Sequence, residues 1–426
     1  MKTDSFEVVG LGGERKLSGE IKVNKAKNAV LKAMASTTLF SGEAVINEVP
    51  ELEDVGRMAE LLEGVGVKVS NDSKKWSFDG SGVKNPALNH EIAKRFRGSI
   101  VLTGPLLGRL GEVSFAHPGG CVIGARPIDL FLKGFEKMGA TVTEGENEFK
   151  VKTSGGRLKG AEIFFPIQSH TATETLMMAA MLAEGKTILK NAALEPEVVD
   201  LAEFLNRCGA DIVGAGTPTI EIEGGELLSS HGYEHTPMPD RIEAGSFVIL
   251  GAMSGTELKV SECNPSHLES TLSYLKDAGV DFETGEDFVS VRGAKNLNAI
   301  SIKTHEYPGF PTDLQAPMAV LQTQAKGEST VFETIFEGRL NYTADLVKMG
   351  ADITLWNAHQ AGIKGPTLLK GHVLEGPDLR AGLAYIWAAI VAKGVSVVNN
   401  VYHIDRGYER IEDRLRNIGV SIKRVN

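Results

Sequence analysis

The 426-residue chain is poor in cysteine, in tryptophan and in net positive charge. Its three cysteines, Cys121, Cys208 and Cys263, are too few and too scattered for a disulfide framework. None lies in a Cys-x-x-Cys pair, so the usual zinc spacing is absent and no metal is expected. The formal net charge is −10, which excludes an overall basic field for nucleic acid or anionic lipid and leaves only local basic pockets. No apolar run approaches the ~18 residues of a membrane helix. The start, Met1-Lys2-Thr3-Asp4-Ser5, has no apolar core of a secretory signal. No P-loop pattern occurs. These absences predict a cytoplasmic protein with no nucleic-acid or membrane partner. Glycine, by contrast, is abundant at 48 residues, and many tight turns are expected.

Much of that glycine is periodic. A helix-like segment ends in Gly and a short strand six times, at Gly66, Gly139, Gly209, Gly279, Gly350 and Gly419, with spacings of 73, 70, 70, 71 and 69 residues. A period near 70 exceeds that of the common solenoids, so each unit must be a small fold of its own. An earlier glycine recurs at 42, 111, 185, 255, 327 and 394, where an apolar helix gives way to a strand. Glycine is the usual residue there because it accepts a left-handed conformation. Leu268, Leu272 and Leu275, like Ile411, Leu415 and Ile418, keep i, i+4, i+7 spacing in the second helix. Alternation such as Phe149-Lys150-Val151-Lys152 marks the strands that follow. The unit reads as helix–strand–helix–strand–strand, and the class as α/β. The sixth unit ends at Asn426 without its closing strands, whereas residues 1–24 supply a spare pair. Two three-repeat domains are predicted, 25–238 and 1–24 with 239–426. The crossing lies near His235-Thr236-Pro237-Met238-Pro239-Asp240.

The distance between the two glycines of a unit is 24, 28, 24, 24, 23 and 25 residues, so the second unit carries an insertion. The extra residues fall in His117-Pro118-Gly119-Gly120-Cys121-Val122-Ile123-Gly124-Ala125-Arg126-Pro127. A thiol on a glycine-rich loop near a guanidinium is favoured as thiolate. The alternative is a small cysteine packed in a turn. Insertions in repeats map to loops, and loops carry function, which favours the reactive reading for Cys121. Cys208 and Cys263 occupy regular positions and are expected to be structural.

Four other segments break the pattern. Lys27-Asn28 precedes the apolar run Ala29-Val30-Leu31, and a solvated helix start is its plain structural reading. Phe310-Pro311-Thr312-Asp313 puts a carboxylate after a proline turn, where Thr312 or Asp313 could instead cap a helix. Asp378-Leu379-Arg380 and Asp405-Arg406-Gly407-Tyr408-Glu409-Arg410 repeat an Asp/Arg theme that commonly forms solvated ion pairs. Together they supply one thiol, one candidate base and several guanidinium groups suited to bidentate binding of carboxylate and phosphate. A small, multiply anionic substrate is the class they suggest.

In order and spacing these segments resemble the UDP-N-acetylglucosamine enolpyruvyl transferase family over essentially the whole chain. The family's cysteine loop is matched by Pro118-Gly119-Gly120-Cys121 and Ile123-Gly124-Ala125-Arg126-Pro127. Lys27-Asn28-Ala29, Phe310-Pro311-Thr312-Asp313, Asp378-Leu379-Arg380 and Tyr402-His403-Ile404-Asp405-Arg406-Gly407-Tyr408-Glu409-Arg410-Ile411-Glu412 match as well. The resemblance implies an inside-out α/β barrel of the EPSP synthase type, with six βαβαββ repeats, three per domain, and the active site in the cleft between the domains. It implies transfer of the enolpyruvyl group of phosphoenolpyruvate to the 3-hydroxyl of UDP-N-acetylglucosamine, as the first committed step of peptidoglycan synthesis. It also implies no cofactor, a monomer, and alkylation of Cys121 by fosfomycin.

The roles it implies are as follows. Cys121 is the general acid at the methylene carbon of phosphoenolpyruvate, and Asp313 takes or positions the proton of the sugar hydroxyl. Lys27, Arg126 and Arg406 hold the phosphate and carboxylate of phosphoenolpyruvate, with Arg97 and Arg380 in support. Asn28 and Thr312 bind the sugar. Arg126, Pro127, Asp129 and Leu130 line the uridine site, Ser169 lies near the diphosphate, and Ile335, Arg339 and Asp378 complete the substrate contacts. The chain departs from the family's pattern at Lys25, Lys32, Phe131, Ile167 and His170-Thr171, which leaves another nucleotide-sugar or nucleoside acceptor, or a substrate-binding paralogue without turnover, as alternatives. A six-repeat scaffold without catalysis would have no inserted reactive loop.

Overall fold

A computed structural model describes residues 4–95, 97–117, 128–294 and 296–425. These fall into two compact units, one of residues 4–24 and 239–425, the other of residues 25–117 and 128–238. Each unit holds three small sheets, of four strands in five cases and three in the sixth.

Within each unit the layers are inside out. In the 25–238 unit the central helices are Lys27–Ser36, Thr103–Leu110 and His170–Ala180. In the other unit they are Arg241–Ser254, Gln315–Gln324 and Leu379–Val391. Leu379–Val391 reads LRAGLAYIWAAIV, apolar all round after Arg380, and is buried from Arg380 to Val391. A helix without a polar face has only a core to occupy. Trp387 fills that core at 0% exposure, worth about 2–3 kcal/mol of burial. Its Nε1 donates to the Ser246 carbonyl of a neighbouring central helix at 3.1 Å, so the one polar atom of the ring is satisfied. The second helix of each repeat is one-sided by comparison. Pro196–Arg207 buries Val198, Leu201, Ala202, Phe204 and Leu205 and leaves the other face polar. The strands alternate: Thr187 and Leu189 are buried and Lys186 is exposed.

One repeat shows the topology. Strand Glu162–Phe164 leads into helix His170–Ala180, strand Lys186–Lys190, helix Pro196–Arg207 and the hairpin Asp211–Val213/Thr219–Glu223. The first two strands pair in parallel and the hairpin adds antiparallel strands. This is a βαβαββ unit, the fold class expected, although none of the sheets closes on itself.

Two expectations need correction. Residues 1–24 do not complete the sixth repeat alone. Ser5–Val9 does pair with Val395–Asn399 and Ser421–Val425 of that repeat. Leu17–Lys22 instead runs parallel to Gly255–Ser261 and is the leading strand of the fourth repeat. The corresponding strand of the first repeat is Glu234–His235, beside Glu43–Ile46. Among the described residues, the two crossings at 24–25 and 238–239 therefore each follow a leading strand. The second correction concerns glycine. All six glycines at the end of the second helix have positive φ, from 83° to 105°. Of the earlier set, Gly42 and Gly255 do not. Gly255 has φ −79° and leaves its helix directly into a strand. Glycine is required there by space instead, because a Cβ would sit 2.6 Å from the Gly251 carbonyl oxygen.

Candidate functional site

The candidate residues form two groups, one in each unit. In the 239–426 unit, Pro311 ends an extended stretch and Thr312–Leu314 makes one turn of 3₁₀ helix before Gln315–Gln324. Neither Thr312 nor Asp313 caps these helices, which removes the structural alternative weighed above. Asp313 instead meets two arginines. Arg339 donates from Nη2 to Asp313 Oδ1 at 2.5 Å and to the Thr312 carbonyl at 3.2 Å. Arg380 Nε lies 3.5 Å from the same Oδ1. Both guanidinium groups are buried, whereas the Asp313 side chain keeps 31% of its surface exposed. A partly exposed carboxylate is thus held by two fixed cations.

The supporting contacts explain how buried charge is tolerated. Thr312 Oγ1 donates to Glu333 Oε2 at 2.9 Å, and Glu333 Oε1 accepts the amides of Ile335 at 2.8 Å and Phe336 at 3.2 Å. Glu333 is fully buried and ties the Asp313 turn to the loop that carries Ile335 and Arg339. Asp378 caps the helix Leu379–Val391, its Oδ1 accepting the amides of Arg380 and Ala381 at 2.8 and 3.1 Å. That cap fixes the first turn from which Arg380 reaches out. Arg380 Nη1 donates to Tyr408 Oη at 2.7 Å. Burial alone would lower the Arg380 pKa, but Tyr408, Asp313 and Asp240 raise it above the usual arginine value. Tyr408 is buried and pushed above the ordinary phenol range by burial, with Arg380 pulling the other way. Arg406 follows the short helix Tyr402–Asp405, and burial and then the Arg406 charge hold His403 below its usual value. Asp405 is an ion-pair partner of Arg424 at 2.8 Å, and Arg410 of Asp413 at 2.7 Å, so part of the Asp/Arg theme is structural.

In the 25–238 unit, Lys27 and Asn28 open the helix Lys27–Ser36. Lys27 is not a solvated lysine: its Nζ lies 3.1 Å from Asp54 Oδ2, and both side chains are largely buried. Ser169 caps His170–Ala180, its Oγ accepting the Ala172 amide at 3.3 Å. Arg97 starts the 3₁₀ helix Arg97–Leu102. Asp129 opens Asp129–Lys137 and pairs with Lys133 at 3.1 Å, and Leu130 packs against this unit's core. Phe131 is buried in that core against Phe135, with ring centroids 5.8 Å apart. It therefore works as core packing. Lys25 pairs with Glu48 at 3.2 Å, and Ile167 is exposed. Cys121, Arg126 and Pro127 lie outside the described residues. Cys208 and Cys263 are buried, and burial pushes both thiols up to about 11, in keeping with structural roles.

Several partners of these residues carried no signal in the sequence. Glu333, Asp54, Asp240 and Glu174 are single acidic residues in unremarkable surroundings, and only folding brings them to their cations. Tyr408 stood inside a quoted motif without a role. Among the described residues no cluster of histidine, cysteine, aspartate and glutamate could hold a metal ion. Nor, among the described residues, is any helix long and apolar enough to cross a membrane.

Comparison with known proteins extends this picture. Residues 11–415 match the family described as EPSP synthase (3-phosphoshikimate 1-carboxyvinyltransferase). The chain is 43% identical over 410 residues to UDP-N-acetylglucosamine 1-carboxyvinyltransferase 1 of Caldanaerobacter subterraneus subsp. tengcongensis, covering 96% of this chain and 97% of that one. It is 44% identical over 418 residues to UDP-N-acetylglucosamine 1-carboxyvinyltransferase of Acidobacterium capsulatum, covering 97% and 95%. Among solved structures, the enolpyruvyl transferase NikO from Streptomyces tendae superposes with a TM-score of 0.87 at 23% identity, covering 100% of this chain and 99% of that one. EPSP synthase from Acinetobacter baumannii gives 0.75 at 17% identity, with both chains fully covered. The likeness to the two solved structures concerns the fold.

Proposed function

The chain belongs to the EPSP synthase (3-phosphoshikimate 1-carboxyvinyltransferase) family, and from that premise we propose that it moves an enolpyruvyl group between phosphoenolpyruvate and a nucleotide sugar. It is a transferase. The acceptor is the 3-hydroxyl of UDP-N-acetylglucosamine and the second product is inorganic phosphate. Relatives with that name, 43–44% identical over nearly the whole chain, support this acceptor over shikimate 3-phosphate. In a cell the product feeds peptidoglycan synthesis in the cytoplasm, and the enzyme works as a monomer without a cofactor.

The chemistry is an addition followed by an elimination. A proton is delivered to the methylene carbon of phosphoenolpyruvate, and the sugar oxygen bonds to the neighbouring carbon as its own proton is taken up. A proton then leaves the new methyl group and the carbon–phosphate oxygen bond breaks, restoring the double bond and releasing phosphate. One acid and one base on opposite sides of the reacting carbons serve both stages by exchanging duties. We assign the acid to Cys121 and the base to Asp313. Asp313 is suited to the task because Arg339 and Arg380 fix one oxygen while the carboxylate stays accessible. The same two cations offset charge that develops nearby as phosphate leaves. Lys27, Arg97, Arg126 and Arg406 hold the anionic groups of phosphoenolpyruvate. Asn28, Thr312, Ile335, Asp129, Leu130, Pro127, Ser169 and Asp378 bind or shape the acceptor site.

The observation that carries the assignment is the convergence of two buried arginines on the partly exposed carboxylate of Asp313. Phosphate release should be measured from phosphoenolpyruvate with UDP-N-acetylglucosamine, with shikimate 3-phosphate, with other nucleotide sugars and with no acceptor. Release with UDP-N-acetylglucosamine alone is expected. Release only with another acceptor would replace the substrate assignment, and no release with any acceptor would overturn the activity.

A further inference from the structure

One buried carboxylate beside the candidate base has no task in the reaction above. Glu333 is 0% exposed and follows directly on the strand Gly327–Phe332. Its backbone is pinned from both sides. The Glu333 amide donates to the His359 carbonyl at 2.8 Å, and His359 Nδ1 donates to the Glu333 carbonyl at 2.8 Å. The next residue, Thr334, makes two hydrogen bonds with Thr304, from its amide to Oγ1 at 2.8 Å and from its hydroxyl to the carbonyl at 2.6 Å. A fixed backbone therefore aims the Glu333 side chain.

The chemistry of its bonds sets a direction. Oε1 accepts the amides of Ile335 and Phe336, and Oε2 accepts the Thr312 hydroxyl at 2.9 Å. A carboxylate has no proton to give, so the Thr312 hydroxyl spends its single proton on Oε2 and keeps only lone pairs. Thr312 is partly exposed beside Asp313, and its oxygen can enter a further contact only by accepting. A sugar group that meets it must therefore donate, as a hydroxyl or an acetamido N–H does. A glutamine at 333 would fill the same space. Its oxygen would stay on the two amides, which can only donate, and its NH₂ would face Thr312. The Thr312 hydroxyl would then have to turn round and present its proton. Arg339 holds the Thr312 carbonyl and Asp313 from the other end of the same loop, so the candidate base keeps its place when the hydroxyl turns. What the acid supplies and the amide does not is the polarity of Thr312.

We infer that Glu333 is a specificity-determining positioning residue: it directs the Thr312 hydroxyl so that its oxygen receives a donor group of the sugar. The inference rests on the nucleotide-sugar reading above. The test is the Michaelis constant for each substrate in Glu333→Gln, which reverses one hydrogen bond and keeps the other two. KM for UDP-N-acetylglucosamine is expected to rise about tenfold, as one hydrogen bond gives way to two opposed donors. The KM for phosphoenolpyruvate and kcat are expected to stay within about threefold, because no bond to Asp313 is touched. Thr312→Val removes the hydroxyl that Glu333 directs. Adding Glu333→Gln to it is therefore expected to change the sugar KM by less than about twofold. An unchanged sugar KM in Glu333→Gln, an equal rise for both substrates, or full additivity with Thr312→Val would overturn the role. Should Glu333→Gln not fold, Thr312→Val decides alone, and a wild-type sugar KM in it would overturn the role. Failure of the functional reading itself shows differently, as wild-type protein that releases no phosphate with UDP-N-acetylglucosamine.

Discussion

Replacing Asp313 by asparagine separates its chemical role from its structural one. The substitution keeps the shape and the Oδ1 acceptor that Arg339 contacts at 2.5 Å, and removes only the charge and the capacity to take a proton. General-base catalysis contributes about 10²–10⁴-fold, so kcat should fall by that factor, or about 3–5 kcal/mol of transition-state free energy. The effect on stability should be much smaller. Breaking a fully buried ion pair costs about 3–5 kcal/mol, but Asp313 is partly exposed. Arg339 also keeps the Thr312 carbonyl, and Arg380 keeps the Tyr408 hydroxyl. A loss of about 1–2 kcal/mol remains, equivalent to a Tm lower by about 2–8 °C for a unit of this size. The assay is steady-state phosphate release alongside thermal unfolding, with the KM for phosphoenolpyruvate as control. A kcat within threefold of wild type would refute the base assignment. A kcat loss matched by gross unfolding at the assay temperature would refute the separation of roles.

Three further outcomes are expected. Fosfomycin and iodoacetamide near pH 7.5 should label Cys121 and abolish turnover, because the thiols of Cys208 and Cys263 are pushed up to about 11 by burial and are almost wholly protonated there; peptide mapping that found the label on either of those two would reverse the assignment. Burial, and then the Arg406 charge, hold His403 below the ordinary imidazole value of about 6.5, so the unfolded chain binds its proton first as pH falls. Stability from this group is complete above about 6.5 and is lost as pH drops below it, and His403→Gln should flatten denaturant midpoints measured between pH 7 and 5. Gly104→Ala should destabilise by about 2–3 kcal/mol or more, because the new Cβ would sit 2.0 Å from the Thr175 carbonyl oxygen where two central helices touch; an unchanged Tm would show that the helices separate freely.

The fold was legible because its regularities are local and repeated. Glycine after a helix has a steric cause, and six such positions at one period announce six copies of one unit. The composition of the segments separates helices that face a core on all sides, such as Leu379–Val391, from helices like Pro196–Arg207 with a single apolar face. Partnership between distant strands has no comparable local cause. Leu17–Lys22 and Ser5–Val9 look alike as alternating segments, yet one joins the fourth repeat and the other the sixth. Which sheet edge a strand finds depends on what the rest of the chain leaves unpaired, and Gly255 likewise answers to a neighbouring carbonyl rather than to a left-handed turn at its helix end.

The candidate site divides along the same line. Residue types that do chemistry could be named from their motifs, but their partners could not, because an acid such as Glu333 or Asp54 matters only through the group it meets. The departures from the family pattern make the point most sharply. Lys32, Phe131 and His170 were equally conspicuous in the sequence. Phe131 is closed into a core against Phe135 and affects the site only through packing. Lys32 and His170 converge on one buried carboxylate that no motif contained. Two changes on different helices that meet at a third residue behave as a unit, so neither should be interpretable alone. A change at Lys32 alone would strand the buried Glu174 charge, so the contact is read from the paired change Lys32→Met with Glu174→Leu, for which a Tm near that of the parent protein is expected.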